Sequence, residues 1–74
     1  MVFVKKDTIY KPGRRVRALR EKFKITQEEL AGRSRISLKY IQRIEGKEPP
    51  DLGLEYLQKL SDGFGIPLWK FLKF

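Results

Sequence analysis

The residues after Ser37 combine long donor side chains with a helical apolar period. Ile41 and Ile44 recur three residues apart, so one face of a helix should turn inward. The outward face of its first two turns then carries one apolar group and three donors, which are Leu38, Lys39, Gln42 and Arg43. Arg and Lys pair with guanine O6 and N7, Gln pairs with adenine N6 and N7, and an aliphatic side chain packs on a thymine methyl group. This combination favours contacts with base edges in a DNA major groove.

Two short helices joined by a tight turn, within residues 26–47, must position these side chains. Thr26 followed three residues later by Glu29 is typical of a capping box, which predicts a helix that starts near Gln27 and ends around residues 33–34.

Ser37 offers a second N-cap oxygen, which predicts a second helix from about Leu38 to Glu45 that is stopped by Gly46.

These residues resemble a known family. The words TQEELA at 26–31 and YIQRIEGK at 40–47, separated by a short turn, are similar to the helix-turn-helix of phage repressor and Cro proteins, also called XRE-like. The resemblance extends over roughly residues 14–72. It implies an all-α fold, a compact five-helix bundle of the lambda-repressor-like DNA-binding type. It also implies a sequence-specific regulator of transcription, more often a repressor.

The resemblance also implies roles for single residues. Arg20 and Glu45 correspond to an internal ion pair that joins the first helix to the end of the recognition helix. Gln27 corresponds to a residue that holds a DNA phosphate and braces a side chain of the recognition helix, and the outward N–H groups of a helix start favour an anion there. The expected phosphate contacts are Gln27, Ser37, Tyr40 and Lys47.

The turn between the two helices departs from the family pattern. Arg35 stands where that pattern usually has a glycine with positive φ. Either Arg35 accepts the strain of the left-handed region, or the turn has a different geometry. The loop before Gly46 is also one residue shorter than usual, which makes the contact expected at Lys47 less secure.

Three further helices complete the predicted bundle. The first runs from Arg14 to Phe23, the fourth from Leu52 or Gly53 to Phe64 with Asp51 as a cap, and the fifth covers IPLWKFLKF after Pro67 opens it. Their expected core residues are Val16, Leu19, Phe23, Leu54, Leu57, Leu60, Phe64, Leu68, Phe71 and Leu72. Trp69 or Phe74 could instead face a partner.

Residues 1–12 show no helical period, and Pro12 and Gly13 punctuate their end. The sequence thus divides into an N-terminal segment, 1–12, and a helix-turn-helix domain, 13–74. The segment could add a strand, pack on the domain, mediate self-association, or form a basic arm along DNA phosphates. A disordered tail is an equal alternative.

Charge favours a polyanionic partner. The chain of 74 residues has a net charge of +8, and residues 1–47 carry +9 while residues 48–74 carry −1. A basic surface of this kind favours nucleic acid first and an anionic membrane second. A merely soluble basic surface is the alternative.

The composition argues against catalysis and metal binding. The chain contains no Cys and no His, which excludes Cys/His zinc sites and Cys or His nucleophile and base chemistry. Carboxylates are few, and no Gly-rich phosphate loop follows a strand. We therefore expect no enzyme, no cofactor and no metal.

The N-terminal residues MVFVKK lack the apolar stretch of a signal peptide, and no segment approaches the roughly 20 apolar residues that span a bilayer. A cytoplasmic protein without a membrane partner is expected. A membrane-surface helix at residues 67–74 is a minor alternative, since Lys70 and Lys73 accompany its apolar residues.

Binding energetics favour a homodimer. Two or three base contacts, each worth about 1–3 kcal/mol, give limited discrimination, and a twofold axis doubles it. The interface should involve the fifth helix, the N-terminal segment, or both. The alternative function is an antitoxin-like module that holds a toxin or another protein partner and binds DNA secondarily.

Overall fold

A computed structural model describes residues 12–73 of the chain. These residues form five helices and no strand: α1 (Pro12–Phe23), α2 (Gln27–Ser34), α3 (Leu38–Ile44), α4 (Leu54–Phe64) and α5 (Leu68–Phe71). The all-α, five-helix prediction is confirmed. The predictions for the N-terminal arm or strand and for Phe74 lie outside the described residues, apart from Pro12.

The first helix begins two residues earlier than predicted. Pro12 is its first residue, a position where proline's fixed φ suits the helix and its missing N–H costs nothing. Gly13 follows because the start of α1 passes close to the end of α3, and a Cβ on Gly13 would collide with the carbonyl oxygen of Ile44. Both residues are therefore part of the first turn rather than punctuation before it.

The helix-turn-helix unit has the predicted N-caps, and its bounds agree with the prediction except that α3 ends at Ile44 rather than Glu45. Thr26 Oγ1 accepts from the Glu29 N–H at 3.0 Å, and Glu29 Oε1 accepts from the Thr26 N–H at 2.9 Å. This reciprocal capping box satisfies two donors that the start of a helix would otherwise leave unpaired. Because both partners lie in one turn, the start of α2 is fixed locally.

All five helices and the links on both sides of α2 contribute to one core. The apolar side chains buried in the described residues are Val16, Leu19, Ile25, Leu30, Ile36, Ile41, Ile44, Leu60, Phe64 and Phe71. Helix α2 lies between α3 and α4. Gly63 permits the close approach of α4, since a Cβ there would lie 2.9 Å from the Ser34 Cβ. The core therefore anchors α2 and α3 on their inner faces.

Three residues predicted to be core are substantially exposed. The exposed fractions are 41% for Phe23, 68% for Leu54 and 37% for Leu72. Phe23 is the last residue of α1, and its ring lies at the edge of the core beside Phe64, with 6.0 Å between ring centroids. Helix α5 is shorter than predicted and ends at Phe71. Leu72 therefore lies beyond the helix.

The start of α4 also differs from its prediction. The N-cap is Gly53, which makes no side-chain cap hydrogen bond, so the assignment of Asp51 as the cap is wrong. The helix begins at Leu54, and that side chain therefore lies in the exposed first turn rather than on the buried face.

Helix α5 is tied to α1 by a polar contact that sequence reasoning did not identify. Arg15 donates from Nε to the Phe71 carbonyl and from Nη2 to the Lys70 carbonyl, both at 2.9 Å. A cation at the C-terminal end of a helix complements the negative end of the helix dipole. None of the helices in residues 12–73 has the length and apolar character needed to cross a bilayer.

Candidate nucleic-acid interface

Helix α3 has one fully buried side. Ile41 and Ile44 are both 0% exposed, and the Ser37 hydroxyl caps the helix by accepting from the Tyr40 N–H at 3.1 Å. The inner side and the start of α3 are thus fixed, so its outer side chains are presented from a stable helix.

The outer side of α3 carries the three predicted donors. Lys39, Gln42 and Arg43 are exposed, and they line a shallow groove together with Lys47 from the following loop. We call this surface the α3 groove. It brings three of the four predicted base-contacting residues and one predicted phosphate-contacting residue to one place.

A second groove runs between the end of α1, the start of α2 and the first turns of α3. We call it the α2 groove, and its lining includes Arg17, Lys24, Gln27, Glu28, Leu38 and Gln42. Gln42 lines both grooves, which makes them neighbouring parts of one surface. Half-buried Leu38, the fourth predicted base contact, lies on the α2 groove beside Gln27.

Gln27 occupies the first position of α2, as predicted. The resemblance also implies that it braces a recognition-helix side chain. Within residues 12–73, however, no hydrogen bond joins Gln27 to α3, although Gln27 and Gln42 share the α2 groove. The amide of Gln27 therefore remains available to a ligand in this groove.

Tyr40 connects the recognition helix to α4. Its ring lies 4.9 Å from the Tyr56 ring, centroid to centroid, at an interplanar angle of 39°. The Arg43 guanidinium carbon lies 6.0 Å from the Tyr40 centroid, within the range of a cation–π contact. The half-buried ring thus helps orient Arg43 along the exposed side of α3.

The ion pair implied for Arg20 and Glu45 is formed. Arg20 Nε donates to Glu45 Oε2 and Nη2 donates to Oε1, each at 2.7 Å, which is a bidentate arrangement. The two side chains are 16% and 6% exposed. Arg20 Nη1 also donates to the Ile25 carbonyl at 3.3 Å. One guanidinium thus joins α1, the link before α2 and the end of α3.

The ion pair with Glu45 also affects the ionisation of Arg20. The hydrogen bonds to Glu45 raise the pKa of the Arg20 guanidinium above its ordinary value, and partial burial opposes that rise. Arg20 therefore remains charged and holds the end of α3 against α1.

Both links that flank α2 contain a basic residue in the left-handed region. Arg35 has φ 61° and ψ 33°, so the first of the two alternatives for the turn is the one observed. Lys24 has φ 56°, and sequence reasoning did not anticipate it. The available signal was the single residue between the end of α1 and the buried Ile25, because so short a link needs a sharp change of chain direction.

A comparison with known protein families matches the part of the chain that forms the two grooves. A family model described as Helix-turn-helix matches residues 16–68. The chain belongs to the XRE-type helix-turn-helix family. The match runs from Val16 in the middle of α1 into α5, so it includes both grooves. Neither a search of curated proteins nor a search of solved structures finds a match.

Membership of this family indicates the general function of the protein. It is a DNA-binding transcription regulator, and the family is one of DNA-binding domains rather than enzymes. The two grooves are accordingly the candidate DNA interface.

Proposed function

We propose that this XRE-type protein is a sequence-specific repressor that reads the major groove of double-stranded DNA with residues 38–45. The observation that carries the proposal is the division of α3 into two sides. Ile41 and Ile44 are fully buried, whereas Lys39, Gln42 and Arg43 are exposed on the α3 groove. A helix anchored on one side and rich in donors on the other suits direct readout of base edges.

The proposed contacts divide into two groups. Leu38, Lys39, Gln42 and Arg43 contact bases, and they lie on adjoining parts of one surface. Gln27, Ser37, Tyr40 and Lys47 contact phosphates and so set the register of the protein on DNA. Gln27 lines the α2 groove, Lys47 lines the α3 groove and Gln42 lines both, which suits base-reading side chains flanked by phosphate contacts.

Repression and dimerisation complete the proposal. A protein that covers its operator can repress by occupancy alone, without a further contact to the transcription machinery. Dimerisation, through α5 or the N-terminal segment, would double the limited discrimination of one recognition helix. This proposal places the protein with its DNA in the cytoplasm.

Binding selection from a random duplex library tests the proposal. The enriched duplex and a scrambled duplex are then compared by titration over a range of salt concentrations. An inverted repeat with half-sites about 34 Å apart and much tighter binding to it are expected. If no motif is enriched and both duplexes bind alike with a steep salt dependence, the surface attracts DNA without reading it.

A second candidate function is an antitoxin-like module whose main task is to hold a toxin or another protein. It is favoured by Leu54 and Trp69, each of which is 68% exposed despite its apolar side chain. Expression with the neighbouring reading frames and purification through a tag on this chain would reveal a stoichiometric partner. Recovery of this chain alone, with a selective DNA motif, would favour the repressor.

A further inference from the structure

Lys24 forms the link between α1 and α2 in a strained backbone conformation. Its φ is 56°, and its N–H donates to the Glu21 carbonyl at 3.3 Å while the Ile25 N–H donates to the Arg20 carbonyl at 3.0 Å. Glycine adopts this region without a steric penalty, whereas a residue with a Cβ does not. The backbone geometry therefore favours glycine over the residue present.

The Lys24 side chain does not compensate for this strain within the fold. It is exposed, and within residues 12–73 it forms neither a hydrogen bond nor an ion pair with another side chain. Strained residues that the fold does not require are often retained for a functional reason.

Lys24 determines the net charge of the α2 groove. The charged residues that line this groove are the cations Arg17, Arg20 and Lys24 and the carboxylates Glu28 and Glu45. Arg20 is neutralised by its bidentate pair with Glu45. Arg17 forms an ion pair with Glu21, with 3.4 Å between Arg17 Nε and Glu21 Oε1. Without Lys24 the lining would carry equal numbers of positive and negative groups.

We propose that Lys24 binds a phosphate of the DNA backbone from the α2 groove. The inference rests on the proposed DNA-reading function, because Lys24 shares this groove with Gln27 and with Gln42 of the recognition helix. A duplex read by Gln42 would pass its backbone along the groove, where Lys24 supplies the cation that is not already paired within the described residues. The strain at Lys24 thus positions a charge at the interface.

The test compares two charge removals that lie two residues apart. Lys24→Gln removes the groove cation, while Lys22→Gln removes an exposed cation whose Nζ lies over the Phe23 ring at 5.9 Å and which is not part of the groove lining. Affinity for the selected duplex is measured between about 0.05 and 0.5 M salt. Each phosphate contact contributes about 0.9 to the slope of log affinity against log salt.

Lys24→Gln should lower the magnitude of this slope by about 0.9, so that the affinity ratio of wild type to variant grows about eightfold for each tenfold dilution of salt. Lys22→Gln should leave the slope unchanged. An unchanged slope for Lys24→Gln, or equal reductions for both variants, would overturn the inference.

Lys24→Gly separates function from folding. It should weaken DNA binding as Lys24→Gln does, yet raise the midpoint of thermal unfolding by about 2–6 °C because the backbone strain is relieved. A lower midpoint would mean that the side chain stabilises the fold, and the functional explanation of the strain would fail.

The wild-type protein provides the control for the proposed function itself. If the wild type selects no duplex, sequence-specific reading fails whatever Lys24 does. If the wild type selects one and Lys24→Gln binds it with the same slope, only the role of Lys24 is wrong.

Discussion

Arg43 is the residue at which specificity is most directly testable. Its guanidinium is exposed on the α3 groove and lies against the Tyr40 ring. Arg43→Ala should weaken binding to the selected duplex by about 1–3 kcal/mol and leave binding to a scrambled duplex nearly unchanged, because a bidentate base contact is lost. Titration of both duplexes at one salt concentration measures the difference.

Arg43→Lys is the matched control for this prediction. It keeps the charge but not the planar fork that pairs with guanine, so it should lose selectivity while retaining the salt dependence of the wild type. Equal losses on both duplexes for Arg43→Ala would contradict a role in base reading.

The Arg20–Glu45 pair should dominate stability among the described ion pairs. Arg20→Ala leaves the Glu45 carboxylate, whose side chain is only 6% exposed, without its partner. A cost of about 3–5 kcal/mol in the free energy of unfolding is expected from urea titration. Arg17→Ala on the same helix is the control, since its pair with Glu21 is 69% exposed on both sides and should cost less than about 1 kcal/mol.

The raised pKa of Arg20 determines the pH above which the ion pair stops stabilising the fold. A group whose pKa is higher in the folded state stabilises fully below its unfolded-state pKa and loses that effect only as pH rises through the folded-state value. Because Arg20 already ionises far above neutrality, its contribution should not decline in any ordinary alkaline buffer.

At the scale of the secondary-structure elements, the turn between α2 and α3 contains removable strain. Arg35→Gly should raise the free energy of unfolding by about 0.5–1 kcal/mol, since relief of the left-handed strain exceeds the added flexibility of the unfolded chain. Chemical denaturation measures the change.

Gly65→Ala offers the reciprocal control. Gly65 has φ 72° at the end of α4, and an added Cβ would meet nothing within 4 Å, so any loss reports backbone strain alone. It should destabilise the protein by about 1 kcal/mol. A loss for Arg35→Gly would show that the arginine side chain stabilises the turn.

The elements that sequence predicted well are those fixed by neighbours in the chain. The capping box at Thr26 and the Ser37 cap both depend on contacts within a few residues. Leu54 and Leu72 were misplaced because their burial depends on where α4 starts and α5 ends, which tertiary packing decides. Lys24 was missed because the groove that it lines forms only when α1, α2 and α3 are brought together.

At the scale of the whole molecule, the proposed dimer makes a geometric prediction. Two chains should bind an inverted repeat cooperatively when the half-sites lie on one face of the duplex. Inserting about five base pairs between the half-sites turns the second site to the opposite face and should abolish cooperativity. Sedimentation of protein and duplex mixtures gives the stoichiometry, and one chain bound at full affinity would argue against the dimer.

The charge asymmetry of the sequence coincides with the candidate DNA interface. Residues 1–47 hold the positive excess, and they supply every residue that lines the two grooves except Glu48. Composition could not show which of these cations are accessible to DNA. Arg15 and Arg20 donate hydrogen bonds within the fold, whereas Lys24 and Lys39 are exposed.

The anchoring of α5 has a consequence for divergence among related regulators. Arg15 binds main-chain carbonyls, which every sequence provides, and Phe71 is the fully buried side chain of that helix. The attachment of α5 therefore does not depend on the identity of residues 69 and 70. Mutation can change the chemistry of this outer surface while the helix stays attached and the candidate DNA interface is preserved.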